Sequence, residues 1–149
     1  MKKLNIDFSV ANDELKYLEG ETEKFIELLK KHILKNKVDA EVFVGGSFAK
    51  GTLAKETNYD IDIFVRFDWK YEDLTHELEK IINGVSKELK SKLIKMHGSR
   101  DYFKIAKDNK LTFEIIPVLK IKKPREARNV TDLSYFHVNY IRKVLNKEG

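Results

Sequence analysis

The sequence has no cysteine, which excludes disulfides and Cys-type zinc sites. Proline is nearly absent: Pro117 and Pro124 are the only two, and they bracket a short basic loop. Glycine is scarce, at seven residues, and together with abundant Lys and Glu and the missing cysteine this composition would suit a thermophile. No apolar run approaches the roughly 20 residues that a membrane-spanning helix needs. The first ten residues are interrupted by Asn5 and Asp7, so they lack the apolar centre of a signal peptide. No internal repeat or low-complexity tract is visible. These absences lead to the expectation of a cytoplasmic protein with no membrane partner.

What is present is enough for one domain and one core. The chain has 149 residues, 42% of them hydrophobic, and its 36% charged content is mixed in sign, so disorder is not indicated. A net charge of +5 and a pI near 9.2 suit a polyanionic partner such as nucleic acid. From Pro117 onward eight basic residues face three acidic ones, a surplus equal to the whole net charge. An ordinary solvated face is the plain alternative.

A single minimal domain over 1–149 is expected in three parts. Apolar residues from Leu15 to Leu34 recur at helical spacing, giving an N-terminal scaffold helix over about 12–37 with Ser9, Asn12 or Asp13 as its cap. A core over about 40–118 begins with a strand at Ala40–Val44, which ends at Gly45-Gly46. It continues with a strand at Tyr59–Phe67, a helix at Asp73–Lys90 and a strand at Lys92–Met96. A hairpin of Tyr102–Ala106 and Leu111–Val118 turns across Asp108-Asn109. A basic loop and a last helix, capped by Ser134 and running to about Asn146, fill 119–149. This order predicts an α+β fold with a mixed or antiparallel sheet packed against helices.

Asp60 and Asp62 flank Ile61 on one strand, so both carboxylates point to one face about 6.5–7 Å apart. They repel each other unless a cation lies between them, and Mg²⁺ takes one or two carboxylates plus substrate phosphates. A bare Asp-x-Asp is more often a solvated acidic pair, so the surrounding residues matter. Gly45-Gly46-Ser47 directly follows a strand, where glycines admit a phosphate and a run of N–H groups forms an anion nest. Glu114 sits in Leu111–Pro117 on the face opposite Leu111, Phe113 and Ile115, and an acid in so apolar a strand is costly unless paired or bound to metal. Three carboxylates converging from two strands can hold two metal ions.

Gly46-Ser47-Phe48-Ala49-Lys50-Gly51-Thr52, Asp60-Ile61-Asp62-Ile63-Phe64-Val65 and Phe113-Glu114-Ile115-Ile116-Pro117 follow one another in an order that resembles the DNA polymerase β-type nucleotidyltransferases. Within that superfamily the chain looks most like the catalytic domain of the archaeal (class I) CCA-adding tRNA nucleotidyltransferases. Lys120-Ile121-Lys122 and Thr131-Asp132-Leu133-Ser134-Tyr135-Phe136-His137 extend the likeness, which runs from about Val42 to Tyr140. It departs at Glu114, where many of those enzymes carry Asp.

The resemblance implies the polymerase β-like fold. It also implies that Asp60, Asp62 and Glu114 bind two catalytic Mg²⁺ ions, and that Ser47 in the Gly46-Ser47 loop contacts the triphosphate. Lys50 lies near the nucleotide, and Ser134 and His137 reach the incoming NTP, ATP and/or CTP. The implied reaction is attack by an RNA 3′-hydroxyl, such as that of tRNA, on the α-phosphate, with pyrophosphate leaving. Members of that family continue for hundreds of residues beyond this part. A minimal enzyme adding one or a few nucleotides is therefore expected, and a homo-oligomer would supply a second RNA surface. Lys120, Lys122, Lys123, Arg125 and Arg128 are the main candidates for RNA phosphate contact, with Arg100, Lys104 and Arg142 behind them. Tyr102 or Phe103 are candidates to stack on a terminal base, with core packing the plainer role. A nucleotidyltransferase that modifies a protein by AMP transfer, and a non-catalytic nucleotide- or RNA-binding module, are the alternatives.

Overall fold

The computed structural model describes residues 2–45, 59–133 and 135, with side chains from residue 13 onward except at 124 and 130. Helix α1 runs Lys2–Lys35 and presents Leu18, Thr22, Phe25, Leu29, His32 and Ile33 as a buried stripe at helical spacing. It begins ten residues earlier than its apolar pattern predicts. Residues 2–12 contain neither Pro nor Gly, so nothing breaks the hydrogen-bond ladder, and Ser9, Asn12 and Asp13 lie inside the helix rather than capping it. The helix closes where Lys37 takes φ 55°, with Lys37 N–H donating to Leu34 and Val38 N–H donating to Ile33.

Five strands follow: β1 Ala40–Val44, β2 Tyr59–Phe67, β3 Leu93–Met96, β4 Tyr102–Ala106 and β5 Leu111–Leu119. Helix α2, Leu74–Leu89, lies between β2 and β3. Asp73 caps it, accepting the His76 N–H at 3.1 Å. The sheet order is β1-β2-β5-β4-β3. The β2–β5 pair is parallel and the others are antiparallel, so the sheet is mixed, as the element order predicts. The β4–β5 turn is held by the Asp108 carboxylate, which accepts from the N–H groups of Lys110 and Leu111.

Helices α1 and α2 cover one face of this sheet. Ile61, Ile63 and Val65 of β2, Phe113 and Ile115 of β5, and Phe103 and Ile105 of β4 form one core with Leu18, Phe25 and Leu29 of α1 and Leu78, Ile81 and Val85 of α2. Phe25 stacks on Phe113 at 4.2 Å. The helices meet where Gly84 leaves room for the buried His32 ring, whose Nε2 lies 3.0 Å from Glu88. After β5 the chain makes two short 3-10 turns, Pro124–Glu126 and Val130–Leu133. The expected last helix lies outside the described residues apart from Tyr135.

Candidate active site

The alternation that buries Ile61 and Ile63 against the helices turns Asp60 and Asp62 to the opposite face of β2. Asp60 is exposed and Asp62 half-buried. Parallel pairing sets Asp62 directly beside Glu114 and Asp60 beside Thr112. Neighbouring strands lie about 4.8 Å apart, so Asp62 and Glu114 form a cross-strand acid pair. β4 then places Lys104 opposite Glu114, with Nζ 3.3 Å from Oε1. Hydrogen bonding to Glu114, reinforced by its charge, raises the Lys104 pKa above the ordinary lysine value. One row across three strands thus reads Asp62, Glu114, Lys104. Asp60, Asp62 and Glu114 share this face, and among the described residues no three His, Cys, Asp or Glu side chains are grouped closely enough to hold an ion.

A row of apolar side chains borders the charged one. Phe43 of β1 stacks on Phe64 of β2 at 4.9 Å, and Phe64 pairs across the sheet with Ile116. Tyr135 stands edge-on to Phe43 at 5.2 Å, beneath the Arg66 guanidinium 3.7 Å from its ring centre. Arg66 is itself held by Glu41. Gly45 ends β1 beside this cluster, and a Cβ there would overlap the Phe64 ring, so the glycine is required by packing as well as by any ligand. Its N–H donates to the Asp62 carbonyl at 2.8 Å, which sets the end of β1 next to the acid pair. Gly46, Ser47 and Lys50, which follow it in sequence, and Ser134 and His137 beyond β5, lie outside the described residues.

The basic candidates separate into two sets. Arg100 pairs through both nitrogens with Asp132, at 2.6 and 3.3 Å, and donates to the Pro117 carbonyl. Arg128 donates to the carbonyls of Tyr71 and Trp69 and lies over the Trp69 ring. These two guanidiniums hold the fold together. Lys104 belongs to the acid row. Lys120, Lys122, Lys123 and Arg125 are exposed. Phe103 is buried in the core and Tyr102 half-buried on the acid face, so of those two only Tyr102 is placed to meet a base. Arg142 lies outside the described residues.

Two residues gain roles that their sequence surroundings did not point to. Asp132 is buried, and besides Arg100 it accepts the N–H groups of Leu119, Arg128 and Asn129, tying the end of β5 to the turn before Tyr135. Lys104 was not within reach of counting: outward steps from a two-residue Asp108-Asn109 turn would set it opposite Phe113, whereas the observed turn also takes in Lys110, closed by the Lys107 N–H on the Leu111 carbonyl, and sets it opposite Glu114.

Residues 22–133 match the family described as "Nucleotidyltransferase domain". The CCA-adding enzyme of Nanoarchaeum equitans is 47% identical over 103 residues, covering 69% of this chain. The chain spans about a quarter of that relative's length (25%). Among solved structures, E. coli MS115-1 CdnC with ATP gives a TM-score of 0.60 at 18% identity over 89% of this chain and 46% of its own. Cid1, described for RNA terminal uridylyl transferase activity, gives 0.57 at 19% identity over 91% of this chain and 40% of its own. Those two likenesses are of fold. With most of its length inside the family match and its acids aligned across two parallel strands, the chain belongs to the nucleotidyltransferase domain family.

Proposed function

We propose that this domain transfers a nucleotide from an NTP, ATP and/or CTP, to the 3′-hydroxyl of an RNA, with a tRNA 3′ end as the first candidate acceptor. The observation that carries this reading is the register of Asp62 with Glu114 across β2 and β5, in a chain whose sequence relative is a CCA-adding enzyme.

The donor set suits Mg²⁺. Asp62 and Glu114 offer hard carboxylate oxygens from adjacent strands, where two like charges side by side favour a shared cation, and Asp60 lies two residues along on the same face. Bound there, Mg²⁺ would lower the pKa of the attacking hydroxyl and offset the triphosphate charge, with two ions as the full complement. The remaining work falls to the chain. Gly46 and Ser47 hold phosphate oxygens, with Lys50 beside the nucleotide. Ser134 and His137 meet the NTP. Lys120, Lys122, Lys123 and Arg125 attract RNA phosphates.

The test incubates the protein with tRNA lacking its terminal nucleotides, Mg²⁺, and each labelled NTP singly and together. Wild type extends the RNA, and Asp62→Asn and Glu114→Gln slow extension by at least about 100-fold, since loss of groups around a metal site costs that order. No extension by wild type, or equal extension by the variants, would overturn the proposal.

A further inference from the structure

Nucleotide transfer by the acids gives no task to the third member of the charged row. Lys104 faces the acids from β4, with its side chain 30% exposed and that of Glu114 21% exposed. Its ammonium holds one carboxylate oxygen of Glu114 at 3.3 Å, a long contact for a charge-assisted hydrogen bond. A divalent cation shared by Asp62 and Glu114 must approach those same carboxylates, where its positive charge repels the ammonium. We propose that Lys104 is the resident counter-cation of the site: it occupies Glu114 until a divalent ion displaces it, and so sets the ion concentration at which the site fills. This rests on Asp62 and Glu114 being metal ligands, and it makes Lys104 a positioning residue.

The type of cation matters to this role. An ammonium is a compact point charge on a flexible stem and can let go of a single oxygen. A guanidinium can bind a carboxylate through two parallel hydrogen bonds and would hold on. The two replacements therefore move metal affinity in opposite directions, which neither a packing role nor a general charge effect would do.

Mn²⁺ titration of the full chain without nucleotide, followed by the EPR signal of the free ion, reads this directly. Lys104→Gln should tighten Mn²⁺ binding about threefold to tenfold, and Lys104→Arg should weaken it by a similar factor. Lys95→Gln is the control. Lys95 lies on β3 and pairs with Glu79 on the helix-covered side, so it removes an equal charge away from the acids and should shift affinity less than about twofold. Equal affinity in wild type and Lys104→Gln overturns the proposal, as does equal tightening by Lys95→Gln. If Asp62→Asn abolishes binding while both Lys104 variants match wild type, the metal site stands and the lysine's role falls. If no variant shows binding that depends on Asp62, both fall together. Thermal melts of each variant establish that it is folded.

Discussion

At the scale of single residues, side chains outside the acid row show how a local hydrogen bond becomes a pH dependence. Tyr17 of α1 donates its hydroxyl to Asp108 in the β4–β5 turn. That bond, with burial and the Asp108 charge behind it, pushes the Tyr17 pKa up to about 12, and it is the largest cause holding Asp108 below its ordinary value. The Asp108 contribution to stability is therefore complete above its unfolded value of 3.8 and fades as pH falls below it. The Tyr17 contribution is complete below 10.0 and fades as pH rises towards about 12. Tyr17 is 40% exposed, so solvent screening limits the pair to about 0.5–1 kcal/mol. Tyr17→Phe should lower Tm by about 1–4 °C between pH 5 and 9, with the gap to wild type closing at both extremes in melts run from pH 3 to 12. The acids themselves were readable from the sequence, since strand period alone puts Asp60, Asp62 and Glu114 on outward faces. Asp132 was not, because its meaning comes from three backbone N–H groups and an arginine that only the folded chain gathers. Asp132→Ala leaves Arg100 without its carboxylate in a part-buried site, and should cost about 3–5 kcal/mol in urea unfolding.

At the scale of elements, the helices carry two glycines with opposite consequences. Gly20 in α1 has open space where a Cβ would go, so Gly20→Ala should raise stability by about 0.5–1 kcal/mol. Gly84 in α2 faces the His32 ring, where a Cβ would lie 2.5 Å from Nδ1, so Gly84→Ala should lower it by about 1–3 kcal/mol. Thermal melts of the two variants should separate in sign. The end of α2 offers a third case: Lys90 sits at φ 53°, a conformation that disfavours side chains, and Lys90→Gly should raise stability by about 0.5–1 kcal/mol. The strands and α2 were legible because alternation and the helical spacing of Leu74, Leu78, Ile81, Ile82 and Val85 are local signals. The start of α1 was not, because its first residues lack the apolar period that marks the rest, and helix geometry propagates through them without it. The sheet order was also hidden. A hairpin shows itself in a turn, while the parallel contact of β2 with β5 joins segments with α2, β3 and β4 between them.

At the scale of the whole molecule, charge and fold divide the protein into a helix-covered back and an acid-bearing front, with exposed Lys120, Lys122, Lys123 and Arg125 following β5. If those side chains meet RNA phosphates, replacing Lys120, Lys122 and Lys123 by Gln should weaken binding of a tRNA substrate. It should also lower the slope of log affinity against log salt by roughly 0.7–0.9 for each phosphate that is no longer neutralised. Filter binding over a salt series measures both. The parallel strand pair has one more outcome, in time rather than space. Asp62 leaves the ribosome some fifty residues before Glu114, a separation read from their positions in the chain. The nascent chain therefore holds Asp60 and Asp62 without β5 beside them through the synthesis of α2, β3 and β4, and non-local strand pairing of this kind closes slowly. A cation that needs both strands cannot be captured until β5 docks. If Asp62 and Glu114 share an ion as proposed, its uptake would report that the sheet is complete.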